Sequence, residues 1–312
     1  MTHVGKEIAS QPECWRRALE MDPAGLPETG ERVAVIGCGT SLYIAQAYAV
    51  LREAAGRGET DAFAASEFPA ARRYDRVLAI SRSGTTTEVL DALRRTGDVP
   101  TTAVTGDLAT PIGEVAGTVV DLSFADERSV VQTRFATTCL ALLRGRLGLA
   151  PADLPEQAER ALHAELPQGA LEANQFTFLG TGWTIGLANE AALKLREASN
   201  AWTESYAAME YRHGPISIAG PNSVVWFFGR PPAGLPAQVR ATGATLSHAE
   251  LDPLADLVRA QRLAVALAER RGLDPDRPQG LTRSVVLDDG HGPTDASADA
   301  PSGSPAPAPA GS

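Results

Sequence analysis

Glu190, Lys194 and Glu197 stand at spacings of four and three in the segment NEAALKLREASNAWTESYAAMEYRHGP. On a helix those spacings put all three side chains on one face. A carboxylate held there can take a proton from carbon and return it, the work of a general acid/base. Composition alone favours a plainer reading, a surface ion pair with Glu197 solvated. Further along, His213 is followed by Gly214 and Pro215, so it closes an element and enters a turn. Histidine gives and takes protons near neutral pH. A histidine in that place serves equally well to satisfy the last carbonyls of a helix.

A second constellation is SRSGTTTE, from Ser81 to Glu88. Ser81 and Ser83 close a strand, Gly84 permits a tight turn, and Thr85 and Thr86 open a helix. The unpaired amides and dipole of a helix N-terminus favour an anion, and several hydroxyls beside them suit the terminal oxygens of a phosphoryl group. A simple N-cap needs only one hydroxyl. GCGTS, from Gly37 to Ser41, is a junction of the same kind. It puts Thr40 and Ser41 outside the ends of strands, where open α/β sheets bind ligands. It is not a dinucleotide fingerprint, since GCGTSLYIA lacks the third glycine. GTGWTIG, from Gly180, is served as well by close helix–strand packing, and no Gly-Lys-Ser/Thr makes a P-loop.

These residues need elements to hold them. RVAVIGCG, DRVLAISR, TTAVTGD and TVVDLSF are short apolar runs separated by helical stretches, the pattern of a parallel sheet covered by helices. Residues 130–148 read as one long apolar helix, and LPEQAERALHAEL as an amphipathic one. The pattern then restarts. QFTFLGTG matches RVAVIGCG with Gly37 and Gly39 at Gly180 and Gly182, an offset of 143, and LREA at Leu51 recurs at Leu195, an offset of 144. ASEF resembles AMEY, and NSVVWFFG parallels DRVLAISR. This internal repeat predicts two similar α/β lobes. Where the first has SRSGTTTE the second has GRPPAG, prolines in place of hydroxyls, so only the first lobe is expected to keep an anion cradle.

The expected division is an N-terminal helical extension over 1–31, a first lobe over 32–149, a linker helix over 150–174, a second lobe with a C-terminal segment over 175–289, and a disordered tail over 290–312. That tail holds only small, polar and proline residues besides His291, too little to build a core. Acidic residues outnumber basic ones 38 to 28, which argues against nucleic acid as a partner. Three scattered cysteines make neither a disulfide scaffold nor a cysteine zinc site. No metal cluster or cofactor motif is present, and no apolar run suits a membrane span or signal peptide, so a cytoplasmic protein is expected. Cys38 reads as a packing residue and Cys139 as core. Trp202, Trp226, Phe227 and Phe228 read as core or interlobe contacts.

GCGTS, SRSGTTTE, NEAALKLREASNAWTESYAAMEYRHGP and DPDRPQGLTRSV together resemble the sugar isomerase (SIS) superfamily. More closely, they are similar to the isomerase half of glutamine–fructose-6-phosphate aminotransferase and to its stand-alone amino-sugar-phosphate relatives. The resemblance runs from about Arg32 to Leu287. It implies two tandem flavodoxin-like three-layer αβα SIS lobes with parallel sheets, and a hexose or hexosamine 6-phosphate as substrate. It implies that Thr40, Ser41, Ser81, Arg82, Ser83 and Thr86 line the sugar-phosphate site. Glu127, Val130, Val131 and Gln132 would lie on the segment that closes over the sugar hydroxyls. Glu197 matches the enolisation base, and His213 the ring-opening histidine that a partner subunit often supplies. A homodimer with a shared site follows from that comparison, with no cofactor or metal.

Two departures bear on the reaction. The sugar domain starts almost at once, leaving no room for an N-terminal glutaminase. Arg283 stands in GLTRSVV where the aminotransferase carries its sugar-binding lysine, and a guanidinium does not form a Schiff base. Arg283 is expected to neutralise or orient the substrate instead. The expected activity is a deaminase/isomerase turning glucosamine 6-phosphate into fructose 6-phosphate and ammonia. The alternatives are aldose–ketose isomerisation, deglycation of a fructosamine phosphate, or non-catalytic sensing of a sugar phosphate.

Overall fold

Each strand run of valine, isoleucine, alanine and threonine leads through a turn into a helix, and that alternation forces the strands to lie parallel. A computed structural model describes residues 2–69 and 71–287. Most of the expected tail lies outside these residues. The first sheet holds β1 (Val33–Gly37), β2 (Thr60–Ala64), β3 (Arg76–Ser81), β4 (Thr101–Thr105) and β5 (Thr118–Asp121), in the order β2-β1-β3-β4-β5. The second holds β6 (Gln175–Gly180), β7 (Trp202–Ala207), β8 (Ser223–Phe227) and β9 (Thr245–His248), in the order β7-β6-β8-β9. Every pairing is parallel. The first order is that of doubly wound flavodoxin-like sheets, and the second repeats its first four places.

The helices are α1 (His3–Ala9), α2 (Gln11–Glu20), α3 (Thr40–Ala54), α4 (Thr87–Arg94), α5 (Ile112–Val115), α6 (Arg134–Arg146), α7 (Leu154–His163), α8 (Thr184–Ser199), α9 (Leu235–Ala241) and α10 (Pro253–Arg270). The LREA arginines, Arg52 on α3 and Arg196 on α8, make one bond twice. Arg52 donates to Thr60 Oγ1 and Arg196 to Thr203 Oγ1, each at 2.8 Å and each to the strand that follows its helix.

Helices from both halves of the chain meet in the largest core cluster, where Trp15, Ile44, Phe135, Leu140, Leu187, Leu195 and Leu263 are buried together. Each such side chain contributes about 1.5–3 kcal/mol relative to leaving it in water. Gly186 sets how close α8 lies to α3. A Cβ there would stand 2.5 Å from the Tyr43 carbonyl and 2.9 Å from the Ala47 amide, so only glycine lets the two helix backbones approach.

Residues 1–31 pack into the core through the fully buried Trp15, and Pro12 sits in the first turn of α2. Two expectations are corrected. The helix expected over 130–148 begins only at Arg134, because residues 127–133 form a loop tied to other segments. Trp202 is not core: it opens the edge strand β7 and is 69% exposed. Trp226, Phe227 and Phe228 are buried as expected, as is Cys139.

Candidate active site

The first sheet reverses its winding between β1 and β3, and such a switch point is where doubly wound sheets open a crevice at the carboxyl ends of their strands. The turn after β1 carries Thr40 and Ser41. The turn after β3 carries Ser81 to Thr86. All of Thr40, Ser41, Ser81, Arg82 and Ser83 are buried. Gly84 has φ +62°, a left-handed conformation, and a Cβ there would meet Thr110 Oγ1 at 2.1 Å. Ser81 Oγ accepts from the Gly84 amide at 3.2 Å, and Ser83 Oγ from the Thr85 amide at 3.3 Å. Thr86 is the N-cap of α4 but makes no side-chain capping bond, and its hydroxyl lies 3.5 Å from Ser83 Oγ.

The C-terminal segment crosses this turn. The Thr87 amide donates to the Val285 carbonyl at 3.2 Å, Thr85 Oγ1 to Ser284 Oγ at 2.8 Å, and the Leu287 amide to Thr87 Oγ1 at 2.9 Å. Arg82 braces the walls. Its buried guanidinium donates to the carbonyls of Ser129 (2.9 Å), Val130 (3.2 Å) and Arg283 (2.6 Å), and burial holds its pKa below the usual arginine value. Arg283 points to Asp126, which takes both NH2 bonds, at 2.6 and 2.8 Å, and it also donates to the Glu127 carbonyl. The cation expected to face substrate is therefore already paired.

The face of α8 that the sequence presented as a surface ion pair is buried. Glu190 is 0% and Lys194 1% exposed. Lys194 is one of only two lysines in the chain. Its Nζ donates to Glu197 Oε2 at 2.5 Å and to Thr40 Oγ1 at 2.9 Å, joining α8 to the turn after β1. Glu190 Oε1 lies 3.6 Å from the same nitrogen, and among the described residues neither of its oxygens has a hydrogen-bond partner. Burial pushes its carboxyl up to about 8, despite the Lys194 charge. Burial alone would lower the Lys194 pKa; the neighbouring carboxylates raise it instead. Glu197, at 19% side-chain exposure, is the member of the group that meets solvent.

The loop before α6 supplies the remaining wall. The Glu127 carboxylate is buried and engaged within the chain. Its Oε1 accepts from Thr133 N (2.6 Å), Thr133 Oγ1 (2.7 Å) and Arg134 N (2.9 Å), and Oε2 from Phe135 N (3.3 Å), so it caps α6. Burial raises its pKa. Val131 and Thr133 border the same small void as Lys194, and the buried Gln132 Oε1 has no partner among the described residues. Two residues the sequence did not single out hold this loop. Glu7 on α1 accepts from Arg128 N (2.6 Å), Ser129 N (3.3 Å) and Ser129 Oγ. Asp276 accepts from the amides of His3 and Val4, each at 2.7 Å, while its own carbonyl takes the Val130 amide.

No family model matches the chain. Glutamine–fructose-6-phosphate aminotransferase [isomerizing] of Methanothermobacter thermautotrophicus is 30% identical over 341 residues, covering 91% of this chain and 57% of that protein. The chain thus spans little more than half the length of the curated relatives it matches. Among solved structures, a glucosamine-6-phosphate deaminase from Thermotoga maritima aligns with a TM-score of 0.76 at 25% identity, over 92% of this chain and 100% of that one. The C-terminal domain of the Francisella tularensis aminotransferase shares the fold at a TM-score of 0.77 and 20% identity, over 89% of this chain and 98% of that one. The chain is thus similar in sequence to the isomerising part of these aminotransferases, and in fold to solved phosphosugar isomerases and a deaminase.

The structure brings Thr40, Ser41, Ser81, Ser83 and Thr86 to one switch point and joins Glu197 to it through Lys194. It does not bring His213 there by any contact within the chain. His213 ends a short turn (Glu210–His213), is exposed, and makes no hydrogen bond or ion pair among the described residues, so it does not close a helix end either. No group of three or more metal-ligating side chains occurs among the described residues, and no described helix is long and apolar enough to cross a membrane. Lys194 was open to notice from its spacing to Glu190 and Glu197. Glu7 and Asp276 carry no local signal, since their partners lie more than a hundred residues away.

Proposed function

We propose that this protein is an amino-sugar-6-phosphate deaminase/isomerase of the sugar isomerase superfamily, which converts glucosamine 6-phosphate and water into fructose 6-phosphate and ammonia. One observation carries the reading: Lys194 pins Glu197, a solvent-reaching carboxylate, beside Thr40 at the hydroxyl-lined switch point. The Thermotoga deaminase, matched over its whole length, supports the direction.

In this reading the hydroxyls of Ser81, Ser83 and Thr86, with Ser41, hold the phosphate, which orients the sugar from a distance. Thr40 borders the reacting end. Arg82 braces the walls rather than binding the phosphate. Gln132 Oε1, with the backbone of Val130 and Val131, takes sugar hydroxyls, and Glu127 and Arg283 fix the loop and the C-terminal segment. Glu197 removes the C2 proton of the open-chain aldehyde and returns it to C1 through an enolamine. The resulting C2 imine takes up water and releases ammonia. His213 opens the ring from a neighbouring subunit of a homodimer. The two sheets are tandem lobes over 32–149 and 175–289, a division that the repeated arginine–threonine bond supports.

The test is to incubate the protein with glucosamine 6-phosphate in deuterated water, following ammonia and C2 exchange by proton NMR. Ammonia together with fructose 6-phosphate supports the reading. Exchange without ammonia replaces it with isomerase or deglycase chemistry, and binding without exchange replaces it with a sensor.

A further inference from the structure

The turn after β8 occupies, in the second sheet, the place that the SRSGTT turn occupies after β3 in the first. Its sequence, GRPPAG, removed every hydroxyl, and on that ground no anion cradle was expected there. The structure puts something else in the same place. A crevice of 460 Å³ opens outside the carboxyl ends of β8 and β9, lined by Arg230, Pro232, Gly234, Arg240, Leu246 and His248 among others. The three basic side chains come from three segments: the turn, helix α9 and the last residue of β9.

No carboxylate among the described residues lines the crevice. Among the described residues, neither Arg230 nor Arg240 has a side-chain hydrogen bond or ion pair, in a chain whose net charge is -10. Two guanidiniums gathered without a counter-charge repel one another, and an anion between them removes that cost. The rim is stiff. Three prolines, Pro231, Pro232 and Pro236, fix φ along it. Arg212 ties it down from outside, donating to the Ala233 carbonyl at 2.6 Å and to Gln238 Oε1 at 2.8 Å. A crevice of this volume lies in the usual range for a small ligand, and arginine's planar fork matches phosphoryl oxygens.

We propose that this crevice is a second anion site, which takes the phosphoryl group of a small phosphorylated molecule through Arg230, Arg240 and His248. It does not depend on the deaminase reading, because it uses none of the residues placed at the switch point. The site is open to solvent, so its affinity falls as salt screens the guanidiniums.

The test is calorimetric titration of the full chain with inorganic phosphate and with ribose 5-phosphate. Ser83→Ala/Thr86→Ala is used to silence the first site and Arg230→Gln/Arg240→Gln the second. In the Ser83→Ala/Thr86→Ala background, saturable binding of either probe is expected to remain, and adding the two arginine substitutions is expected to weaken it at least about tenfold. Both arginines are exposed, so the substitutions leave the fold intact, checked by an unchanged unfolding midpoint. Equal binding of the two probes makes the phosphoryl group the whole ligand, and tighter ribose 5-phosphate adds the sugar; both support the site. No binding once Ser83 and Thr86 are replaced, binding indifferent to the arginines, or equal affinity for malate overturns it.

Discussion

Lys194 Nζ lies 2.9 Å from Thr40 Oγ1, so a helix of the second half of the chain holds the first residue of a helix in the first half. The same nitrogen carries Glu197. Removing one partner of a buried charge pair costs about 3–5 kcal/mol. Lys194→Met is expected to lower stability by that order and to abolish C2 proton exchange. Urea unfolding and NMR exchange measured on one preparation check both, and a variant that stays stable and active removes Lys194 from the site.

Glu197 reaches solvent, so it is the carboxylate able to meet substrate. Glu197→Gln keeps the shape and removes the proposed base. Turnover and C2 exchange are expected to fall by about 10²–10⁴-fold, while binding of glucosamine 6-phosphate stays near the wild-type value. Binding lost together with turnover contradicts a purely chemical role.

Glu190 sets a pH dependence. Its carboxyl is pushed up to about 8 by burial, whereas an unfolded glutamate titrates near ~4.3. Between those values the unfolded chain gives up a proton that the native one keeps. The contribution of Glu190 to stability is therefore present at low pH and is lost as pH rises toward 8, with no further change above. Glu190→Gln is expected to flatten this slope in denaturation midpoints taken across the window. A parallel slope in the variant assigns the dependence to another group.

Gly186 brings α8 against α3, and the Lys194–Thr40 bond depends on that approach. Gly186→Ala is expected to cost about 1–3 kcal/mol through overpacking. It is also expected to reduce turnover more than Ala→Gly changes at exposed helical positions do. Turnover unchanged at a lowered melting temperature separates the packing from the site.

Arg283 and Asp126 are about one-third exposed, so their pair adds no more than about 1 kcal/mol to global stability. Its work is local. In Arg283→Ala the amides of Thr87 and Leu287 are expected to exchange with solvent faster, with the unfolding midpoint almost unchanged. Hydrogen exchange resolved by residue reads this directly.

The strands and the two glycine turns were legible because their signals are local: apolar runs of five or six residues ended by glycine, with serine and threonine at the helix starts. Ser81, Ser83 and Thr40 could be placed at strand ends on that basis. The buried state of Glu190 and Lys194 was not legible, since a spacing of four and three looks the same on a solvated helix as on a packed one. The packing of α8 against α3, made possible by Gly186, and against α10 decides between them. Glu127 and Arg283 were placed toward the sugar by resemblance. Their side chains go instead to α6 amides and to Asp126, partners that sequence spacing does not reveal. Trp202 was read inward from its type alone, yet an edge strand leaves its outer end uncovered.

The bonds of Asp276 to His3 and Val4, and of Arg82 to the Arg283 carbonyl, link residues 200 or more positions apart. During synthesis the first sheet can form while the second is still being made. The turn after β3 then waits, with the Thr87 amide unpaired and the Arg82 guanidinium lacking its bond to the Arg283 carbonyl, until residues 276–287 have left the ribosome. Competence for binding thus arrives last, as a single late event, and a nascent chain stopped short of those residues should hold a folded first sheet that does not yet bind sugar phosphate.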